Sequence, residues 1–436
     1  MQQLNAHDAM FAHFDNENWA AHGGIVGIYD PSTAPGGHVR FRDILAHLER
    51  RLACSPVFRR RLVRVPLDLD HPYWIEDEHF DLEFHVRHVR LPEPADWRQL
   101  CIQIARIDAR PLDMNRPPWE MWVIEGLDHV EGVPAGSYAI FTKLHHVAVD
   151  GHSMRDIISA IHDLTPELDA TAIPDSWHGE RRPGARQLLT RAAANNLVHA
   201  PLRVARAVVR FAPAARLLPG AVLGSRGSSG GLLPPAVPRT RFQAELSPHR
   251  VLDGRTFPLA EVKRMRELVE GATVNDVIVN ARDAAGDIGD GVGDVGAEGD
   301  EEEGDVVAAG GLLALARTRG CPRCSRPSPG GRALAASQLA FGARRPTFNI
   351  GVSNVPGPHV PLYMNGAKAE RFFGVAPIFS GTGLVFGVFS YCGVIDASFV
   401  SCRRMVPDPA FLAECLDAAF EELRTAVGVA AGAVPA

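Results

Sequence analysis

A strand that ends in two histidines and turns directly into a helix constrains this chain more than any other feature. Residues 137–144 are rich in β-formers and read as a strand. Lys143-Leu144-His145-His146-Val147-Ala148-Val149-Asp150-Gly151 follows, a His-His-x-x-x-Asp-Gly pattern. Beyond it, Met154, Ile157, Ile158 and Ile161 recur at helical spacing within 153–164. The histidines therefore sit at a strand-to-helix corner, where a rigid scaffold presents side chains to a ligand. Such a pair in isolation is more often a structural corner than a catalytic one, so its neighbours must decide between the two.

At 436 residues the chain exceeds what one core ordinarily organises, and two domains are expected. Its 46% apolar and 22% charged residues are globular proportions. A formal net charge of −6 gives no reason to expect nucleic acid as a partner. Seven cysteines, an odd number without framework spacing, point to a reducing, cytoplasmic setting. The opening residues show no basic-then-apolar leader pattern. No apolar run is long enough to span a bilayer, so any membrane association is expected to be peripheral.

Three zones are expected: 1–180, 181–241 and 242–436. In the first, 40–52 has helical spacing, 80–91 alternates like a strand and 123–126 offers a shorter one. The middle zone holds 11 arginines, no lysine and no acidic residue. Within it Val204, Ala207, Val208 and Phe211 recur at i, i+3, i+4, i+7, with Arg203, Arg206 and Arg210 on another face and Pro201 at the start. That is a basic amphipathic helix, suited to an anionic lipid surface or to a solvated junction between domains. Residues 224–238, rich in Gly, Ser and Pro, read as a linker. In the third zone 259–265 opens a helix, 391–400 reads as a strand and 411–427 as an amphipathic helix. The exception is 281–346: residues 283–305 carry ten acidic residues and no basic one, and 317–345 carry seven arginines and no acidic one. Neither block has core periodicity, and the acidic one is not expected to pack.

Several ordered blocks resemble the bacterial wax ester synthase/acyl-CoA:diacylglycerol acyltransferase family. They are Leu4, Asp8, Ala9 and Phe11 with the later His22-Gly23-Gly24, and the stretch from Phe80 to Val89. Pro111-Leu112-Asp113-Met114-Asn115-Arg116-Pro117-Pro118-Trp119-Glu120 and the histidine motif follow, then Asn275-Asp276 and Asn354-Val355-Pro356-Gly357-Pro358. The histidine motif alone also marks chloramphenicol acetyltransferase-like and condensation domains; the combination in this order is specific. The likeness covers roughly 1–280 and 347–430. Residues 281–346 depart from it, as though coding sequence had been read out of frame.

The resemblance implies two chloramphenicol acetyltransferase-like α/β domains with the active-site tunnel at their interface. It implies acyl transfer from acyl-CoA, a co-substrate, to diacylglycerol or a fatty alcohol, with no metal or other cofactor. His146 would be the general base, a role for which imidazole has a suitable pKa. His145 would shape the turn, Asp150 would anchor it and Gly151 would provide the tight exit. Asn275 and Asp276 would support the domain interface. Pro111, Asp113, Trp119, Asn354, Pro356 and Gly357 are the candidates for substrate contact. The product surface implied is an anionic membrane or lipid droplet. The departure at 281–346 leaves an inactive, lipid-surface-binding relic as the alternative, and another acyltransferase of the same fold as a second.

Other signals carry little. Gly291-Val292-Gly293-Asp294-Val295-Gly296 lacks a preceding strand and is surrounded by acids that repel phosphate. Cys321-Pro322-Arg323-Cys324 has no partner pair. Gly151-His152-Ser153-Met154-Arg155 lacks the last glycine of a nucleophile elbow, so no serine acyl-enzyme is implied.

Overall fold

The structure, a computed structural model, describes residues 1–12, 15, 18–149, 154–168, 177–199, 240–268 and 350–428. Asp150, Gly151, Asn275, Asp276, the arginine helix around 203–210 and the segment 281–346 lie outside the described residues.

In chain order the strands are β1 (Gln2–Gln3), β2 (His22–Asp30), β3 (Arg60–Val63), β4 (Tyr73–Glu76), β5 (Val86–Arg90), β6 (Trp119–Glu125), β7 (Tyr138–His145), β8 (Arg250–Pro258), β9 (Gly351–Pro356), β10 (Tyr363–Met364), β11 (Ala367–Val375), β12 (Leu384–Tyr391) and β13 (Val394–Cys402). The helices are α1 (Ala6–Phe11), α2 (Phe41–Arg51), α3 (Leu82–His85), α4 (Trp97–Asp108), α5 (Met154–Ile161), α6 (Ala185–Ala194), α7 (Leu259–Glu267) and α8 (Pro409–Ala426). Mixed sheets with packed helices make this an α/β fold, as expected.

A six-stranded sheet runs β10-β11-β2-β7-β6-β5, and a four-stranded sheet runs β8-β13-β12-β9. The first is buried on both faces, and strand alternation assigns the faces. Ile25, Tyr29, Trp119, Met121, Val123, Ile140 and Leu144 pack with residues of α1, α2 and α5. Val26, Ile28, Trp122, Ile124 and Phe141 face the other way, onto α4 and the four-stranded sheet. Helix α4 is thus common ground between the sheets. Its Trp97 donates its indole N–H to Asp253 on β8 at 2.7 Å.

The boundary expected at residue 241 does not divide the sheets. Strands β10 and β11, from the third zone, complete the first sheet through antiparallel pairing of β11 with β2. Asp396 on β13 fastens this exchange. Fully buried, it accepts the Phe372 N–H at 2.9 Å, next to the register shift in β11, and the Thr256 hydroxyl at 2.6 Å. Close approach also explains His22-Gly23-Gly24. A Cβ on Gly24 would lie 2.1 Å from the Thr142 carbonyl oxygen, and one on Gly23 2.6 Å from that of Val375.

Two expected strands need correction. Residues 80–91 are only half strand: Asp81 accepts the Glu83 N–H and caps the single turn of α3, and β5 begins at Val86. Residues 391–400 span a hairpin, because Cys392 and Gly393 take positive φ (42° and 93°) between β12 and β13. The short strand expected at 123–126 is the end of the longer β6, and the helices expected at 40–52, 153–164, 259–265 and 411–427 lie within a few residues of their expected bounds.

Buried titratable groups give stability a sign with pH. His47 donates from Nε2 to the Ile161 carbonyl at 2.8 Å. His162 donates from Nδ1 to Ile158 O at 2.6 Å and accepts the Tyr29 hydroxyl at Nε2, 2.9 Å away. Burial pushes both imidazoles down to about 4, and the backbone hydrogen bonds only partly oppose it. Burial also lowers His85. The unfolded imidazole protonates first, so stability present at neutral pH is lost as pH falls from about 6.5 towards 4. Asp396, pushed up to about 6 by burial, acts in the opposite sense over an overlapping window. The histidines outnumber it. Calorimetry is therefore expected to show Tm falling between about pH 7 and pH 4.5, with a net loss on the order of a few kcal/mol. A Tm that rises over that range would contradict this sign.

Candidate active site

The corner at the end of β7 is held on every backbone side. The His145 N–H donates to the Pro118 carbonyl at 3.0 Å and the His146 N–H to that of Ala21 at 2.7 Å. His22, opposite His145 in the ladder, donates from Nε2 to the Asp108 carbonyl at 2.6 Å. Lys143, fully buried, donates from Nζ to the carbonyls of Ile107, at 3.0 Å, and Arg110, tying the end of α4 and the 111–120 block to the motif strand. Burial lowers this ammonium to about 8, against the favourable fields of Asp108 and Glu120.

The two motif histidines are not equivalent. His145 has no exposed surface and both ring nitrogens are occupied. Its Nδ1 accepts the Val147 N–H at 3.2 Å. The proton must then be on Nε2, which lies 3.1 Å from each carboxylate oxygen of Asp15. His146 is half-buried on a single 3₁₀ turn, His146–Val149, with the Phe11 ring stacked on it at 5.1 Å between centroids.

Asp15 was not among the candidates read from the sequence. Burial would raise its pKa, but the hydrogen bond from His145 and the Ala21 N–H at 2.7 Å hold it below the ordinary carboxylate value. No local pattern marks it, since its partner is 130 residues away. Phe11 belonged to the opening block, but nothing in its spacing showed that it covers the second histidine.

The other candidates separate. Trp119 is a core residue with 1% exposure, donating its indole N–H to the Phe58 carbonyl at 2.9 Å and stacking on His85. A side chain so placed has no surface for a substrate, which corrects the expectation of contact. Pro111 and Asp113 are exposed, and Asp113 accepts the Asn115 N–H at 2.9 Å, closing a turn. Asn354 and Pro356 are exposed on β9, the edge strand of the second sheet, against which α5 packs. The structure thus brings the motif helix beside the Asn354 block. Gly357 serves packing: its N–H donates to the Ser390 carbonyl at 2.9 Å, and a Cβ there would meet that oxygen at 2.3 Å. Among the described residues no group of three or more His, Cys, Asp or Glu side chains is arranged to hold a metal.

The family profile described as wax ester synthase/diacylglycerol acyltransferase catalytic domain matches residues 4–278, and that of the C-terminal domain matches 329–424. The family pattern therefore resumes at residue 329 rather than at 347, and only 279–328 lies between the two matches. A Mycobacterium tuberculosis protein named as a diacylglycerol O-acyltransferase is 30% identical over 454 residues, covering 90% of each chain. The solved wax ester synthase/diacylglycerol acyltransferase from Marinobacter aquaeolei superposes with a TM-score of 0.64 at 22% identity, over 98% of this chain and 100% of that one. The first condensation domain of the calcium-dependent antibiotic synthetase superposes with a TM-score of 0.54 at 14% identity, over 98% and 96%. These two structures share the fold.

Proposed function

The chain belongs to the wax ester synthase/diacylglycerol acyltransferase family, and from that premise we propose that it transfers a fatty acyl group from acyl-CoA to diacylglycerol or a long-chain alcohol, with His146 as general base. The family's chemistry is acyl transfer; the acceptor and the role of His146 are the finer reading. One observation carries it. Both ring nitrogens of His145 are committed to Asp15 and Val147, whereas the half-buried His146 stands on the turn itself. That contrast favours the second imidazole as the one that exchanges a proton with a substrate.

His146 takes the hydroxyl proton as the alcohol oxygen attacks the thioester carbonyl carbon. The tetrahedral oxyanion collapses, the C–S bond breaks, and the departing thiolate receives the proton from the imidazolium. A single histidine thus acts as base and then acid, with no serine intermediate. Asp150 and Gly151 would complete the turn, and Asn275 and Asp276 the domain interface. Coenzyme A release followed with a thiol reagent, across a panel of diacylglycerol, fatty alcohol and short-chain acceptors, tests the reading. Turnover confined to short or peptidyl acceptors would replace it with another acyltransferase of this fold.

A second reading has one observation behind it. Residues 279–328 are matched by neither family profile, which fits an inactive relic that still binds a lipid surface. Liposome flotation without release of coenzyme A would favour the relic.

Either reading needs a cytoplasmic protein that meets an anionic membrane or lipid droplet. Among the described residues no helix is long and apolar enough to cross a membrane. Arg203, Arg206 and Arg210 are the proposed contacts, each contributing about 1 kcal/mol near an anionic surface. Their joint replacement by Glu is expected to weaken flotation with anionic liposomes, and added salt is expected to weaken it in the parent chain through screening. Equal flotation of variant and parent at low salt would leave these arginines as a solvated face.

A further inference from the structure

The N-terminal segment reaches the motif corner by two routes that meet at one carboxylate. Asp15 receives the Nε2 proton of His145 on both oxygens at 3.1 Å, and its Oδ1 also accepts the Ala21 N–H at 2.7 Å. The carbonyl of that same Ala21 receives the His146 N–H. We propose that Asp15 is a positioning residue for acyl transfer: it fixes the His145 proton on Nε2 and thereby holds the turn on which His146 stands. This rests on the proposed acyl transfer and extends it to a residue outside the motif.

The tautomer is the critical link. With the proton on Nε2, Nδ1 is free to accept the Val147 N–H at 3.2 Å, which ties the ring across the first step of the turn. With the proton on Nδ1, two donors would face each other over that distance, and the turn would lose its side-chain bond. His145 is wholly buried, so water cannot restore it. Asp15 binds the ring of His145 and acts on the turn through it.

The carboxylate is held in place by the segment that carries it. Leu4 is buried and donates its N–H to the Pro72 carbonyl at 2.9 Å. Asn5 accepts the Asp8 N–H at 2.9 Å at the start of α1, and Arg64 donates to the Ala12 carbonyl at its end. Phe11, from the same helix, stacks on His146. The segment therefore supplies one side of the corner.

The test uses the full-length chain with Asp15→Asn and Asp15→Glu. Nitrogen-15 histidine NMR reads the His145 tautomer, coenzyme A release gives kcat and KM, and calorimetry gives Tm. The parent is expected to carry the proton on Nε2. Asn can present its amide N–H to Nε2, so Asp15→Asn is expected to shift the proton towards Nδ1 and to lower kcat about 10–100-fold, the scale seen when a functional histidine loses its orienting partner. KM for acyl-CoA is expected to stay within about twofold, and Asp15→Glu is expected to recover the parent tautomer and most of kcat. A parent His145 protonated on Nδ1 overturns the proposal whatever the variants do. So does an Asp15→Asn variant with unchanged kcat, or one whose loss follows Tm and is not rescued by Glu. If the parent releases no coenzyme A with any acceptor, the proposed function fails, while the tautomer measurement still decides the link between Asp15 and His145.

Discussion

The His146→Ala variant is expected to release coenzyme A with a kcat about 10²–10⁴-fold below that of the parent chain, the usual contribution of a general base and roughly 3–5 kcal/mol of barrier. The size of the effect follows from what remains. His145 cannot substitute, because moving its proton would break the bonds to Asp15 and Val147. Alanine keeps the His146 backbone N–H on the Ala21 carbonyl, so the turn keeps that main-chain bond. The Phe11 ring loses its stacking partner at the edge of the core, a modest cost in stability compared with the kinetic one. KM for acyl-CoA is expected to change little, since the proton transfer is made only in the transition state. A variant that turns over like the parent would remove His146 from the mechanism.

The largest effect on stability is expected at Trp119. Removing a fully buried tryptophan costs about 3–5 kcal/mol. Here it also orphans the Phe58 carbonyl, which has no access to water through a filled core. The ring lies against His85 at 4.5 Å and against Phe58 at 5.4 Å, so neither neighbour can relax into the space without losing its own contacts. Trp119→Ala should therefore lower Tm by about 5 °C in a chain of this size. The folded fraction should bind acyl-CoA with the parent KM. A normal Tm with a raised KM would return Trp119 to the substrate pocket, contrary to its 1% exposure.

Some of this was legible locally. The strand into the His-His corner, α2, α5 and α8 arise from period-two and 3.6-residue patterns written in adjacent residues. The misread elements were decided by one or two local residues against the pattern. Asp81 captures an N–H and caps a helical turn where alternation predicts strand. Cys392 and Gly393 take positive φ and fold an apolar run back on itself. The block from Pro111 to Glu120 stands out in the sequence, but its role depends on burial, which spacing does not report: Trp119 points into the core while Asp113 lies outside.

By itself, then, the sequence determined the class of fold, the corner, and through the combination of motifs the family to which the chain belongs. Each depends on residues close together in the chain, whose spacing dictates which side chains share a face. Only the tertiary structure decided that β11 leaves its own half to pair with β2, that Asp396 pins it there, and that Asp15 meets the imidazole of His145. Those pairings join residues far apart in sequence. Which carboxylate meets which imidazole is selected when the whole sheet closes and excludes water, and no short window of residues carries that information.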